Sequence, residues 1–146
     1  MPEFSQRSRA KLETCHEDLQ RIFNEVIWMR DCTIIEGYRG KARQNELFFL
    51  EKSQVRFPHS RHNHSPSMAV DVMEYHDERP HIHWFELDEI EVFARFVMEI
   101  ADGLRDRADI THRLRWGGDW DNDGVRVDHD PDEWFFDAPH FELVEN

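Results

Sequence analysis

Histidine and carboxylate side chains at three separate places in the sequence have the chemistry of a catalytic metal site. His62 lies in a polar loop, Asp71 follows it in a short apolar stretch, and His140 comes near the end of the chain. Catalytic zinc is bound by neutral imidazole and carboxylate groups, with three protein ligands and a water molecule in the fourth position. That water must lose a proton, and Asp137 is placed to accept it across a turn that contains Pro139.

Each of these residues also has an ordinary structural explanation when it is considered alone. A histidine and an aspartate in a loop more often form a surface hydrogen bond than a metal site. The Asp137 side chain could cap backbone donors in a turn, and Arg39 could be a solvated or ion-paired arginine. The combination of the three segments, and no single one of them, therefore indicates the metal site.

Helical and strand-like patterns surround these residues. Apolar residues at helical spacing predict helices over residues 9–30, 42–51 and 87–104. Strands are predicted over residues 32–38, 68–73, 114–116 and 141–144. In the second of these strands, Ala69 and Asp71 share one face, and Met68, Val70 and Val72 share the other. Because the strands are short and mostly lack βαβ alternation, we expect an α+β fold.

Composition and charge limit the classes of protein to which the chain can belong. With 146 residues and no break in composition, we expect a single domain over residues 1–146, acting as a monomer. The formal net charge of −13 argues against a nucleic-acid binder, which would carry a basic patch. The first residues lack the apolar core of a signal peptide, and no apolar run approaches the roughly 20 residues of a membrane span. We therefore expect a protein that is made in the cytoplasm.

An acidic loop late in the chain begins like a calcium-binding loop. Asp119, Asp121 and Asp123 occupy the first, third and fifth positions of that motif. Gly124 falls at the sixth position and Asp130 at the twelfth, where the motif normally has glutamate. These four aspartates are a candidate calcium site, and the alternative is a solvated acidic loop with a glycine turn.

Several histidine and aromatic residues are not predicted to do chemistry. His81 and His83 have the alternate spacing of a metal pair on a strand, but the adjacent Pro80 favours a loop edge. The aromatic residues expected to line the core or a cleft are Trp84, Phe85, Trp134, Phe135 and Phe136.

Short motifs follow one another in a fixed order along most of the chain. They read Ser60-Arg61-His62, Ala69-Val70-Asp71 and Asp137-Ala138-Pro139-His140. Residues 37–39 read Gly-Tyr-Arg, residues 116–120 Trp-Gly-Gly-Asp-Trp, and residues 139–143 Pro-His-Phe-Glu-Leu. Together they resemble a metallopeptidase family that includes phage L-alanyl-D-glutamate endopeptidases, D-Ala-D-Ala carboxypeptidases and vancomycin-resistance D-Ala-D-Ala dipeptidases. The last three motifs are typical of the phage branch.

The resemblance implies that His62, Asp71 and His140 are zinc ligands. The commoner family pattern separates the histidine and the aspartate by seven positions, which would select His64 in place of His62. His62 lies nine positions before Asp71, but Ser60 precedes it as the family pattern requires, and a longer-loop variant occurs in the phage branch. We therefore expect His62 to be the ligand, with His64 as the alternative.

The resemblance also implies a fold and further roles. Asp137 would be the general base, and Arg39 would stabilise negative charge on the scissile carbonyl oxygen. Ser60 would support the site or the substrate. The implied fold is a small antiparallel sheet with packed helices, as in Hedgehog and DD-peptidase domains.

The implied function is zinc-dependent hydrolysis of the L-alanyl-D-glutamate bond in peptidoglycan stem peptides by a phage endolysin. The enzyme would be made in the host cytoplasm, act on periplasmic peptidoglycan after release, and carry no separate cell-wall-binding domain. The alternatives are a D-Ala-D-Ala carboxypeptidase or dipeptidase, a virion-borne enzyme that penetrates the wall, and a non-catalytic metal-binding module.

Overall fold

The computed structural model of the protein describes residues 2–131, 133 and 135–145. In chain order its helices and strands are α1 (Gln6–Leu12), α2 (Glu17–Met29), β1 (Cys32–Glu36), α3 (Lys41–Phe49), β2 (Ala69–Glu74), α4 (Leu87–Asp106), β3 (Arg113–Trp116) and β4 (His140–Val144). Two short 3₁₀ helices lie in the loops, at Arg61–Asn63 and Val127–His129. Trp134 lies outside the described residues.

The strands form one antiparallel sheet in the order β1-β2-β4-β3. The predicted α+β fold with a small antiparallel sheet is therefore confirmed. The two central strands, β2 and β4, are far apart in the sequence but pair directly. Their register places Val70 opposite Phe141 and Asp71 opposite His140.

Side-chain alternation gives the sheet one apolar face and one polar face. Val70, Phe141 and their neighbours on the same face belong to the hydrophobic core, which α2 and α4 cover. Phe23 of α2, for example, packs edge-on against Phe141 with ring centroids 5.5 Å apart. Burial of each such side chain stabilises the fold by roughly 1.5–3 kcal/mol. Asp71 and His140 lie on the opposite face, as the predicted division of residues 68–73 requires.

The first predicted helix, over residues 9–30, consists of two helices, and the prediction of one continuous helix is wrong. Between α1 and α2 the backbone forms hydrogen bonds with a segment that is distant in the sequence. The N–H of His16 donates to the carbonyl of Ser67 at 2.8 Å, and the N–H of Ser67 donates to the carbonyl of Thr14 at 2.9 Å. The His16 ring then accepts from the N–H of Asp18 at 3.0 Å and starts α2. Apolar spacing continues across the break, so the pattern does not reveal it.

The other predicted helices are confirmed, with α3 and α4 close to the expected positions. The acidic residues Asp88 and Glu89 lie in the first turn of α4, where negative charge is favourable. Even α4, with 20 residues, is not apolar enough to cross a membrane, and the same holds for the other helices that the structure describes.

The predicted positions of the aromatic residues are wrong for two of the described residues and confirmed for two others. Trp84 and Phe85 are 46% and 91% exposed, so the expectation that they line the core or a cleft is wrong. Their loop contacts the core through Ile82 instead. Phe136 packs against the core, and Phe135 lines the cleft on the polar face of the sheet, as expected.

Candidate metal centre

The polar face of the sheet brings together the three residues that the sequence predicts as metal ligands. Asp71 and His140 face each other on β2 and β4, and His62 comes from the 3₁₀ helix that precedes β2. Oδ1 of Asp71 lies 3.2 Å from Nε2 of His62 and 3.3 Å from Nδ1 of His140. The three donor atoms lie within 4.8 Å of one another, and all three residues are buried.

Local hydrogen bonds orient His62. Ser60 caps the 3₁₀ helix, and its Oγ accepts from the N–H of His62 at 3.2 Å. Nδ1 of His62 donates to the carbonyl oxygen of Gly37 at 2.8 Å, because a carbonyl can only accept. With Nδ1 bound to Gly37, Nε2 is the ring nitrogen that faces Asp71. The alternative histidine, His64, is exposed and does not belong to this group.

A carboxylate behind His140 orients the second ring. Nε2 of His140 lies 2.8 Å from Oε1 of Glu142, so Nδ1 faces Asp71. Glu142 in turn accepts from Arg115 at 2.6 Å and lies 3.2 Å from Nε of Arg61. Glu142 was not among the predicted site residues. Its position two residues after His140 in a strand was the available signal, because alternate residues share a face.

The charges of the site are set by these contacts. Burial raises the pKa of Asp71, but the adjacent His62 and His140 outweigh it and hold this pKa well below its usual range. Burial lowers the pKa of His140, but hydrogen bonds with Asp71 and Glu142 raise it to about 10. Burial also opposes ionisation of Glu142, yet the His140 and Arg115 contacts lower its pKa to about 2. A cation that binds here must therefore displace a proton from His140.

The donor set fits zinc. Two imidazole nitrogens and one carboxylate oxygen match the ligands of catalytic zinc sites. Each ring also has an acceptor at its other nitrogen, the Gly37 carbonyl for His62 and the Glu142 carboxylate for His140. Such acceptors are the usual partners of metal-bound histidines. Calcium and magnesium prefer oxygen ligands and suit this group less well.

Asp137 lies beside the ligand group, in the turn before β4. Its Oδ2 is 3.8 Å from Nδ1 of His140, and its side chain is 32% exposed. Burial raises the pKa of Asp137, which brings the carboxylate nearer to the range of an effective general base. The N–H of Asp137 donates to the carbonyl of Gly117 at 2.9 Å, and the N–H of Gly117 donates to the carbonyl of His140 at 2.7 Å. The first glycine of the Trp-Gly-Gly-Asp-Trp motif therefore holds this turn.

Position 117 has no room for a side chain. A Cβ there would overlap the backbone oxygen of Asp137 and lie 3.0 Å from the Cβ atoms of Asp137 and His140. We expect Gly117→Ala to displace the turn, to lower the free energy of unfolding by about 1–3 kcal/mol, and to slow the hydrolysis that the resemblance implies. Thermal unfolding and rate measurements on the purified variant test this expectation.

Gly103→Ala is the matched control, because a Cβ at this position in α4 meets nothing within 4 Å. Alanine there should leave the activity unchanged and stabilise the helix by about 0.5–1 kcal/mol. If Gly117→Ala were as stable and active as Gly103→Ala, the close approach at position 117 would have no consequence.

Arg39 is buried next to the ligand group. Its Nη1 donates to Gln44 at 3.0 Å, and its Nη2 donates to Glu36 at 2.9 Å. The same Nη2 lies 3.5 Å from Oδ2 of Asp71. The backbone N–H of Arg39 donates to the carbonyl of His62 at 2.8 Å. Arg39 thus holds two of the three candidate ligands in place.

An open cleft on the polar face leads to these residues. Its walls include the aromatic side chains of Trp120 and Phe135 and the guanidinium groups of Arg61 and Arg115. The Trp120 ring lies 5.5 Å from that of His140, and its Nε1 donates to the carbonyl of Phe135 at 2.6 Å. Aromatic and cationic walls suit a ligand that carries both apolar surface and carboxylate groups.

The four predicted calcium ligands lie together in the loop after β3. They form two overlapping groups with a fifth carboxylate, Asp119–Asp121–Glu133 and Asp121–Asp123–Asp130. Loss of hydration and repulsion from Glu133 and Asp123 raise the pKa of Asp121 to about 6. Bound protons or a bound cation would relieve this repulsion.

Protein groups already engage part of this acidic cluster. The N–H groups of Asp123 and Gly124 donate to the Asp119 carboxylate at 3.2 and 3.1 Å. Arg95 pairs with the same carboxylate at 2.7 Å. These hydrogen bonds and the ion pair with Arg95 therefore stabilise the loop around Asp119 without a bound cation.

Comparison with known families places the chain in a class. A family model matches residues 2–144, nearly the whole chain, and describes peptidases that act on peptidoglycan. The chain is therefore a hydrolase of bacterial cell walls. It belongs to the phage L-alanyl-D-glutamate peptidase family.

Solved structures give a similar result. The L-Ala D-Glu endopeptidase ChiX of Serratia marcescens is 26% identical, with 97% of this chain and 90% of that chain covered and a TM-score of 0.69. The vancomycin-resistance D,D-dipeptidase VanXYg, in complex with a D-Ala-D-Ala phosphinate analogue, is 19% identical. That match covers 88% of this chain and 48% of the other, with a TM-score of 0.42. Among curated protein sequences, none matches the chain significantly.

Proposed function

We propose that this chain hydrolyses the L-alanyl-D-glutamate bond of peptidoglycan stem peptides with a zinc ion held by His62, Asp71 and His140. The convergence of these side chains on the polar face of the sheet is the observation that carries the proposal. The family to which the chain belongs and the ChiX endopeptidase are both named for cleavage of this bond, which supports the choice of substrate.

The residues of the cleft supply the parts of a hydrolytic reaction. A bound zinc ion would polarise the scissile carbonyl group and lower the pKa of a water molecule. Asp137 accepts a proton from the attacking water and delivers it to the leaving nitrogen. The oxygen of the water ends in the carboxylate of L-alanine, the C–N bond breaks, and the nitrogen leaves as the free amine of D-glutamate.

The contacts of Arg39 favour a positioning role. Both terminal nitrogens of its guanidinium already bind protein acceptors, Gln44 through Nη1 and Glu36 through Nη2. We propose that it acts mainly by holding Asp71 and the backbone of His62. Direct stabilisation of the oxyanion stays a prediction, because each terminal nitrogen carries a second N–H that these two hydrogen bonds do not use.

The chemistry of the cleft walls supports this choice of substrate. Stem peptides carry free carboxylates, and the Arg61 side chain, 35% exposed, presents a cationic group within the cleft. Trp120 and Phe135 offer apolar surface for alanyl and aliphatic groups. We propose that these walls bind the peptide on either side of the scissile bond.

Mass analysis of digested peptidoglycan tests the reaction. We expect fragments with a new amino-terminal D-glutamate and a new carboxy-terminal L-alanine. Release of terminal D-alanine instead would identify the carboxypeptidase or dipeptidase alternative. Intact wall after incubation with zinc-loaded protein would support the non-catalytic binding module.

Oligomeric state and cellular context complete the proposal. We propose that the protein is a monomer and that its chain forms a single domain. We also propose that it is made in the host cytoplasm and reaches periplasmic peptidoglycan after release. The family's action on peptidoglycan supports this context. Light scattering on the purified protein measures the oligomeric state, and a stable dimer would contradict the monomer.

We further propose that the acidic loop binds calcium through Asp119, Asp121, Asp123 and Asp130. The loop adjoins the active-site turn, because the N–H of Val127 donates at 2.8 Å to the carbonyl of Gly118, the residue after the Gly117 that bonds to that turn. Calcium at 100 times its Kd should raise Tm by about 5 °C and increase the rate of hydrolysis.

Titration with calcium, followed by a calcium-selective chelator, measures both effects. Asp121→Asn is expected to abolish the response while leaving the zinc content unchanged. Stability and activity that respond to neither reagent would remove the calcium proposal.

A further inference from the structure

Three side chains outside the cleft form a second group of metal-ligand type. They are His76, two residues after β2; His83, later in the same loop; and Glu89, in the first turn of α4. We propose that this group binds a second transition-metal ion of the zinc class. The proposal does not depend on the proposed function of the cleft.

The geometry of the group suits such an ion. One donor atom of each residue lies within 4.8 Å of the others. The rings of His76 and His83 stack in parallel, with centroids 3.8 Å apart and 6° between their planes, so one ring must turn for both nitrogens to point at a shared ion. Nδ1 of His83 lies 2.7 Å from Oε2 of Glu89. Two imidazoles and one carboxylate favour zinc, nickel or copper over calcium or magnesium.

The loop that carries the histidines is arranged before any ion binds. The N–H of His76 donates to the carbonyl of His81 at 2.7 Å, and Nδ1 of His81 donates back to the carbonyl of His76 at 2.8 Å. The His81 ring stacks on Tyr75 with centroids 4.9 Å apart. Because these contacts fold the loop back on itself, little ordering is left for a metal ion to impose.

The surroundings also favour a cation. The apolar side chains of Met73, Ile90 and Phe93 line the inner side of the group, and charge interactions are stronger next to apolar surface than in water.

Another cluster of two histidines and a carboxylate has a structural role, and it differs from the proposed metal site. His16, Asp18 and His112 are equally close together. There the Asp18 carboxylate accepts from the N–H groups of Thr111 and His112, each at 3.1 Å, and from the His112 ring at 2.8 Å. Nδ1 of His16 accepts from the N–H of Asp18 at 3.0 Å. The atoms that could bind a metal there are already used in hydrogen bonds that stabilise the start of α2 and the loop before β3.

Metal content tests the proposal directly. The wild type, His76→Gln and Glu89→Gln are equilibrated with micromolar zinc in millimolar calcium, which saturates oxygen-rich sites, and bound zinc is measured by mass spectrometry. We expect each variant to hold one zinc ion fewer than the wild type and to keep its rate of peptidoglycan hydrolysis. Zinc should also raise the Tm of the wild type by about 3–5 °C more than that of either variant.

Glu86→Gln is the matched control, because Glu86 precedes the same helix but its side chain makes no capping hydrogen bond. It should hold as much zinc as the wild type. Equal zinc content in the wild type, His76→Gln and Glu89→Gln would overturn the proposal. The comparison remains valid if the cleft binds no zinc, because the difference of one ion is what is measured.

Discussion

Asp137→Asn is expected to lower the rate of peptidoglycan hydrolysis by about a thousand-fold, within the range that general base catalysis contributes. The amide has nearly the same size as the carboxylate but cannot accept the proton of the attacking water. Asp137 is also 3.8 Å from His140, so the substitution removes a neighbouring charge without removing a candidate ligand. Zinc content and thermal unfolding should stay close to those of the wild type.

Steady-state rates on purified peptidoglycan, with zinc content measured on the same samples, test this expectation. Asp106→Asn, at the exposed end of α4, is the matched control and should keep the wild-type rate. If Asp137→Asn retained more than about a tenth of the wild-type rate, another group would be the base. Loss of zinc from this variant would instead assign Asp137 to the ligand set.

His62→Ala is expected to release the zinc ion from the cleft and to abolish hydrolysis, by roughly a thousand-fold or more. A three-ligand site that loses one imidazole keeps only Asp71 and His140. The vacated Nδ1 position also leaves the carbonyl of Gly37 without its 2.8 Å hydrogen bond. His64→Ala should have little effect, because His64 is exposed and outside the ligand group.

The two variants form a matched pair on the same loop. Zinc content is measured after dialysis against a chelator that removes weakly bound ions, and rates are measured on the same protein. If His64→Ala lost the ion while His62→Ala kept it, the commoner family spacing would apply and the ligand would be His64. Retention of zinc by both would place the ion elsewhere.

The faces of the strands could be predicted from the sequence, but their pairing could not. Alternation of side chains placed Asp71 on the face opposite to Val70, which the structure confirms. The pairing of Asp71 with His140 depends on which strands become neighbours, and local patterns carry no information about that. The break between α1 and α2 escaped prediction for the same reason, because Ser67, distant in the sequence, provides its hydrogen bonds.

The candidate ligands could be predicted from the order of the motifs. The residues that hold these ligands in place could be identified only from the structure. The motif positions identified His62 and His140, which the fold brings together with Asp71. Glu142 behind His140 shows its role only once its 2.8 Å contact is seen. The need for glycine at position 117 likewise depends on how closely the Asp137 turn approaches it.

Two of the candidate metal ligands and the walls of the cleft come from different kinds of element, although they lie on the same face of the sheet. Asp71 and His140 belong to central strands whose reverse side is the hydrophobic core, so packing of the core fixes the positions of their backbones. Trp120, Phe135 and Arg61 come from loops and the short 3₁₀ helix. We therefore expect divergence in these walls to redirect the enzyme to a different peptide bond while the candidate metal ligands stay unchanged.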